Sequence, residues 1–179
     1  MLGRLFKKRR APRAPQPLPA EHATEVDRRM MTRAIELAGE AARAGEAPIG
    51  AVVYETSSEA VVAEARNTRE GDADPCGHAE LLAIRAAAHA TGDWRLNQCT
   101  LVVTLEPCCM CAGTLVNARV GRVVFGAFDP KAGAAGSLMN LLADSRLNHR
   151  PQVIGGVEAD ACGELLRAFF RDLRRRKRP

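Results

Sequence analysis

No run of about 18 apolar residues, the length a bilayer-spanning helix needs, occurs in the chain, so the sequence points away from a membrane partner. The first 20 residues are basic but lack the apolar stretch of about 7 to 15 residues of a secretory signal, so a cytoplasmic location is expected. Aromatic side chains are scarce, with one Trp, one Tyr and five Phe, which leaves Ala, Leu, Val and Ile to build the core. No repeat of solenoid length is present. A second cysteine pair that would complete a four-cysteine structural site with Cys108 and Cys111 is missing. Missing too are the two histidines on one helix that many zinc peptidases carry. What remains is 179 residues, the length of one domain able to bury its own core.

Charge is unevenly spread. Residues 1–13 carry six Lys or Arg and no acid, and residues 167–178 carry seven opposed only by Asp172. Elsewhere 13 basic residues face 20 acidic ones, so two basic tails flank a mildly acidic body. Such arms can neutralise phosphates and make nucleic-acid binding sensitive to salt, or they can simply be solvated. Pro12, Pro15, Pro17 and Pro19 break up the first stretch. Residues 1–20 therefore read as a disordered, basic, Pro-rich lead-in, and residues 21–179 as one domain ending in a basic helix.

Within that domain, Val26, Met30, Ile35, Leu37, Ala38 and Ala41 recur at helical spacing and predict an amphipathic helix over 24–44, ended by Gly45. Strands are expected over 48–54 and 60–65, joined as an antiparallel hairpin through Thr56, Ser57 and Ser58. A loop over 69–77 delivers the chain to His78, where an apolar helix begins that stops at Thr91-Gly92-Asp93. A strand over 100–105 runs into Pro107 and a helix over 109–117, and a strand over 122–126 follows. That succession predicts a right-handed crossover between parallel strands. A short helix is expected near Ser137 to Leu142, a fifth strand over 151–154, and a closing helix over 157–176 with Leu165, Leu166, Phe169, Phe170 and Leu173 inward. The fold class is α/β: a three-layer α/β/α sandwich on a mixed five-stranded sheet.

Two pieces carry chemistry: His78-Ala79-Glu80 and Pro107-Cys108-Cys109-Met110-Cys111. Cysteines at i and i+3 at a helix start can face one ion, and the positive end of the helix dipole there favours thiolate. Pro107 suits a helix start because no N–H is needed there. With His78 they make three ligands of a catalytic zinc site, which leaves a fourth position for water. Zinc lowers the pKa of bound water from about 15.7 toward about 7, and Glu80 lies near enough to move its proton. Either motif alone is weak, since Cys-x-x-Cys also serves redox pairs and structural zinc. Together, each at a helix start, they point to a hydrolytic metal site. Cys99 and Cys162 read as core residues, and His22 and His89 as surface or helix residues.

The sequence resembles the cytidine/deoxycytidylate deaminase superfamily, whose signature is this His-x-Glu with Pro-Cys-x-x-Cys. Over residues 25–174 it looks most like the bacterial tRNA-specific adenosine deaminases. The stretches that carry the likeness are Thr104-Leu105-Glu106-Pro107-Cys108, Arg122-Val123-Val124-Phe125-Gly126-Ala127, Gly133-Ala134-Ala135-Gly136-Ser137-Leu138 and Leu147-Asn148-His149-Arg150. The resemblance implies one Zn2+ per subunit on His78, Cys108 and Cys111, with Glu80 as the proton shuttle. It implies that Asn67 and Asp129 bind the substrate nucleotide, that the substrate is adenosine in a tRNA anticodon stem-loop, and that the protein is a homodimer. With the metal site already complete, His149 reads as a structural or RNA-facing residue. Where the family reads Asp-Pro-Thr-Ala before its His, this chain reads Asp74-Pro75-Cys76-Gly77. Cys76 is then either a small pocket-lining substitution or a competing ligand. Deamination of a free base or nucleoside, and a non-catalytic RNA-binding role, are the competing readings.

Overall fold

Alternation of side chains across five strands decides the architecture. The structure, a computed structural model, describes residues 16–176. Strands β1 (Gly50–Glu55), β2 (Val61–Arg66), β3 (Cys99–Leu105), β4 (Arg122–Ala127) and β5 (Gln152–Gly155) form one sheet in the order β2-β1-β3-β4-β5. The β1–β2 hairpin is antiparallel as expected, and β1 also pairs antiparallel with β3. The β3–β4 and β4–β5 pairs are parallel, so the strand-helix-strand reading of 100–126 holds.

Ala51 and Val53 of β1 point to one face with Leu101, Val103, Val123 and Phe125, and helices α2 (Ala79–Thr91) and α3 (Cys109–Asn117) cover them. Val52, Tyr54, Val102 and Val124 point to the other face, under α1 (Glu25–Arg43) and α4 (Ala159–Arg176). This period-two division is what a sheet buried on both faces requires. Helix α1 lies directly on β1 at Gly50, where a Cβ would come within 2.1 Å of the Ala34 carbonyl oxygen. At the start of α1, Thr24 and Asp27 form a capping box. The fully buried Asp27 also accepts hydrogen bonds from Arg122 (2.6 and 2.8 Å) and Tyr54 (2.7 Å), which ties α1 to β4 and β1.

Three expectations change. No helix forms at Ser137 to Leu142; the chain there makes turns and an isolated bridge between Ala135 and Asn140. The N–H groups of Ala135 and Ser137 donate to the Glu106 carboxylate, and a segment this short cannot nucleate a helix without its own ladder. The inner face expected for α4 is inner only at its start. Cys162 is buried, whereas Phe170 and Leu173 are 42% and 36% exposed, because the helix runs off the sheet past a cavity mouth. Finally, the lead-in joins the sheet before residue 20. Leu18 donates to Val153 O (2.8 Å) and accepts from Gly155 N (2.9 Å), extending the β5 edge. The disorder expected for residues 1–15 lies outside the described residues. None of the described helices is long and apolar enough to cross a membrane.

Candidate active site

His78 is the N-cap of α2 and Cys108 the N-cap of α3, both in extended backbone, and neither makes a side-chain capping bond. Their side chains are therefore available, and two helix N-termini converge on one point. Pro107 stands one residue outside α3, not at its first turn, and its carbonyl accepts from Ala134 N (2.8 Å). Cys111, one turn into α3, is buried against the same point. His78 Nδ1 lies 3.7 Å from Cys108 Sγ and 3.6 Å from Cys111 Sγ, and the two sulfurs are 3.7 Å apart. Among the described residues these three make the only group of His, Cys, Asp and Glu side chains close enough to share one ion. Cys76 is exposed and takes no part, so neither role expected for it is realised.

The proton balance suits a metal. A hydrogen bond from Cys111, helped by His78, pulls the Cys108 thiol down to about 4 against the opposing effect of burial. The same sulfur–sulfur bond, with burial, pushes the Cys111 thiol up. A cation bound there would compete with the protons on these sulfurs. Hydrogen bonding to Cys108 raises His78, against burial. Glu80 is only 4% exposed, and burial pushes its carboxyl up to about 6. Its Oε2 has no hydrogen-bond partner among the described residues. An orphaned carboxylate oxygen beside a ligand triangle is a place for a water that the ion and the acid would hold together.

These groups open into a cavity of about 600 Å³. His78, Glu80 and Cys108 line it, and so do Asn67 and Asp129, so the six expected site residues gather in one place, with Cys111 just behind. Asn67 is buried and donates from Nδ2 to Glu46 Oε2 (3.1 Å). Asp129 is half-buried at the start of an Asx turn, its Oδ1 accepting from Lys131 N (2.9 Å) and its own N–H donating to Glu106 Oε2 (3.0 Å). His149 bonds the Val120 carbonyl (2.7 Å), a structural tie. Cys99 and Cys162 are core residues, and His22 and His89 are exposed.

Sequence reasoning missed other contributors to this cavity, among them Glu46, Glu106, Phe169 and Phe170. Glu106 stands within a quoted motif but had no role there. Glu46 sits in a Gly-Glu-Ala-Pro turn that carries no periodic signal.

Comparison with known proteins agrees with this geometry. The family model described as MafB19-like deaminase matches residues 25–174. A tRNA-specific adenosine deaminase of Bacillus subtilis is 50% identical over 152 residues, covering 85% of this chain and 93% of that one. One of Haemophilus influenzae is 41% identical over 159 residues, covering 89% and 91%. A solved structure from a study of A-to-I editing by tRNA:A34 deaminases at the wobble position superposes with a TM-score of 0.72 at 36% identity. It covers 77% of this chain and 99% of that chain.

Proposed function

The chain belongs to the deaminase family that this model describes, among the tRNA-specific adenosine deaminases, and we propose that it hydrolyses adenosine to inosine at the wobble position of a tRNA anticodon loop. The observation that carries the reading is the His78-Cys108-Cys111 triangle beside the unpartnered Oε2 of Glu80 in a cavity of nucleotide size.

Zinc fits this donor set. Tetrahedral bonds of about 2.3 Å to sulfur and about 2.1 Å to nitrogen separate two sulfurs by ~3.8 Å and sulfur from nitrogen by ~3.6 Å. The triangle measures 3.7, 3.6 and 3.7 Å. Bound there, zinc supplies a water whose pKa is lowered toward about 7.

The chain's residues do the rest. Glu80 takes a proton at Oε2 and returns it to the amino group that leaves the purine as ammonia. Its raised affinity for a proton suits a group that must both accept and donate. Asn67 holds the base through its amide, and Asp129 sits beside the nucleotide backbone. A loop base reaches the cavity by flipping at little of the few kcal/mol that leaving a duplex stack requires. Beyond the mouth, Arg174, Arg175 and Arg176 extend from Leu173 along α4, where stem phosphates can meet them. The active species is a homodimer with one zinc per subunit, as the family resemblance implies, and a tRNA substrate suits a cytoplasmic enzyme.

Incubation with an anticodon stem-loop carrying adenosine 34, beside free adenosine, guanine and cytidine, tests the reading. Inosine should form in the stem-loop, and Glu80→Ala should keep one zinc per chain while losing at least about 1,000-fold in rate, within the range general acid–base groups supply. Turnover of a free base with none in the stem-loop would overturn the substrate, and an active Glu80→Ala would overturn the mechanism.

A further inference from the structure

Between the end of α1 and the start of β1, Glu46 turns its side chain inward to the cavity and is only 3% exposed. Burying a carboxylate is costly unless donors surround it. Here three do. Its Oε1 accepts from Gly71 N (2.6 Å), and its Oε2 accepts from Glu70 N (3.2 Å) and Asn67 Nδ2 (3.1 Å). These donors, with a contribution from Arg66, hold the carboxyl below its usual range although burial works the other way. An ionised carboxylate only accepts, so the Asn67 amide must turn its NH2 toward Glu46. That leaves its carbonyl oxygen and second N–H for a ligand. Glu70 and Gly71 belong to the loop that closes through Thr68 N to Gly77 O (2.9 Å) and ends at His78.

We propose that Glu46 is a positioning residue for substrate binding: its buried carboxylate sets the orientation of the Asn67 amide and pins the 70–71 loop to the cavity wall. This rests on the reading of Asn67 as a base-holding residue. It assigns Glu46 no contact with the reacting atoms and no share in holding the metal.

The test is a double-mutant cycle of Glu46→Gln and Asn67→Ala on the anticodon stem-loop, with zinc content and amide hydrogen exchange measured on each protein. Gln keeps the shape but offers one acceptor oxygen in place of two. Losing charge-assisted bonds of this kind corresponds to about a 10- to 100-fold fall in kcat/KM, expected mainly as a rise in KM. Zinc should stay at one per chain, and the Glu70 and Gly71 amides should exchange faster. In the Asn67→Ala background the same change should lower kcat/KM by clearly less than in the wild-type background, because the Asn67 share of its effect is already gone and only the 70–71 bonds remain to be lost. Equal losses in both backgrounds, no loss at all, or unchanged exchange at Glu70 and Gly71 would overturn the proposal. If Glu46→Gln does not fold, Glu46→Asp, which keeps the charge on a shorter stem, is put through the same cycle with the same criteria. Wild-type protein in parallel separates the two readings: without inosine the functional reading fails, and the exchange measurement then decides the role of Glu46 by itself.

Discussion

Replacing Glu106 by Gln should loosen the wall opposite Glu46 more than its single-atom change suggests. Glu106, the residue after β3, is 2% exposed and accepts from Asp129 N (3.0 Å), Ala135 N (3.0 Å), Ser137 N (2.9 Å) and the Ser137 hydroxyl. A Cβ on Gly133 would lie 2.4 Å from this carboxylate, so the loop wraps it with no room to shift. In the variant one oxygen becomes an NH2 that faces the same donors, so one or two N–H groups lose their acceptor. Each buried donor left without a partner costs about 1–3 kcal/mol, so the variant should lose about 3 kcal/mol. Against a typical domain stability of about 5–15 kcal/mol that is a large fraction. With a urea m-value of about 2 kcal/mol/M, the unfolding midpoint should fall by about 1.5 M. The assay is urea unfolding at fixed excess zinc, so that metal linkage is the same in both proteins. Because Gln is isosteric with Glu, no cavity confuses the result. A midpoint within about 0.3 M of wild type would refute the claim that this carboxylate holds the loop.

Asp27→Asn tests the tie between α1 and β4. Burial would raise Asp27, but Arg122, Tyr54 and Thr24 together lower it, so the folded pKa lies below the unfolded one. That sign makes its stabilisation fully present above the unfolded value of about 3.9 and lost as pH falls through the folded value. The variant should be about 3–5 kcal/mol less stable near pH 7, since Arg122 is left buried without its partner, and the gap should narrow below about pH 4. A pH-independent difference in thermal unfolding would contradict this. Gly50→Ala should force α1 off the sheet, because its Cβ meets the Ala34 and Ala38 backbone at 2.1 and 2.8 Å. A loss of about 3 kcal/mol or more is expected by calorimetry, and an unchanged Tm would show that the contact yields.

What the sequence made legible was whatever repeats locally or stands at fixed short spacing. The apolar stripe from Val26 to Ala41 has a period that a reader can find, and the Ser-rich turn of the hairpin and the continuous apolar runs of β1, β3 and β4 are short local signals. The three side chains of the candidate metal group were legible because Cys108 and Cys111 are one turn apart and His78 opens its own helix. The Ser137 to Leu142 segment misled because its composition suits a helix, while the N–H groups of Ala135 and Ser137 at its entry bond a carboxylate 29 to 31 residues upstream and those of Leu138, Met139 and Leu141 bond the Gly133 and Ala134 carbonyls. Glu46 was silent for the same reason, bonding Asn67 at a separation of 21 residues. On α4 the stripe from Leu165 to Leu173 was real. A helical period reports which residues share a face, not whether a sheet or a cavity lies against it.

Two different devices therefore build the site, and they should fail separately. Helix starts carry the metal-facing side chains, and these starts are fixed by packing of Ala79, Ala83, Ala112 and Leu115 on the sheet. Buried carboxylates carry the walls: Glu46 holds Asn67 and the 70–71 loop, and Glu106 holds the 129–137 loop. Hydrogen-bonded walls open by local fluctuation more readily than a packed core does. Metal occupancy can thus be complete in a protein whose walls have loosened, and it says little about substrate recognition. The converse also holds, because nothing in the bonds of Glu46 or Glu106 reaches a sulfur or an imidazole. The shape of the cavity walls then rests on long-range carboxylate bonds, and the candidate metal group rests on local motif spacing. That division is why the chemistry of this chain could be read before its substrate.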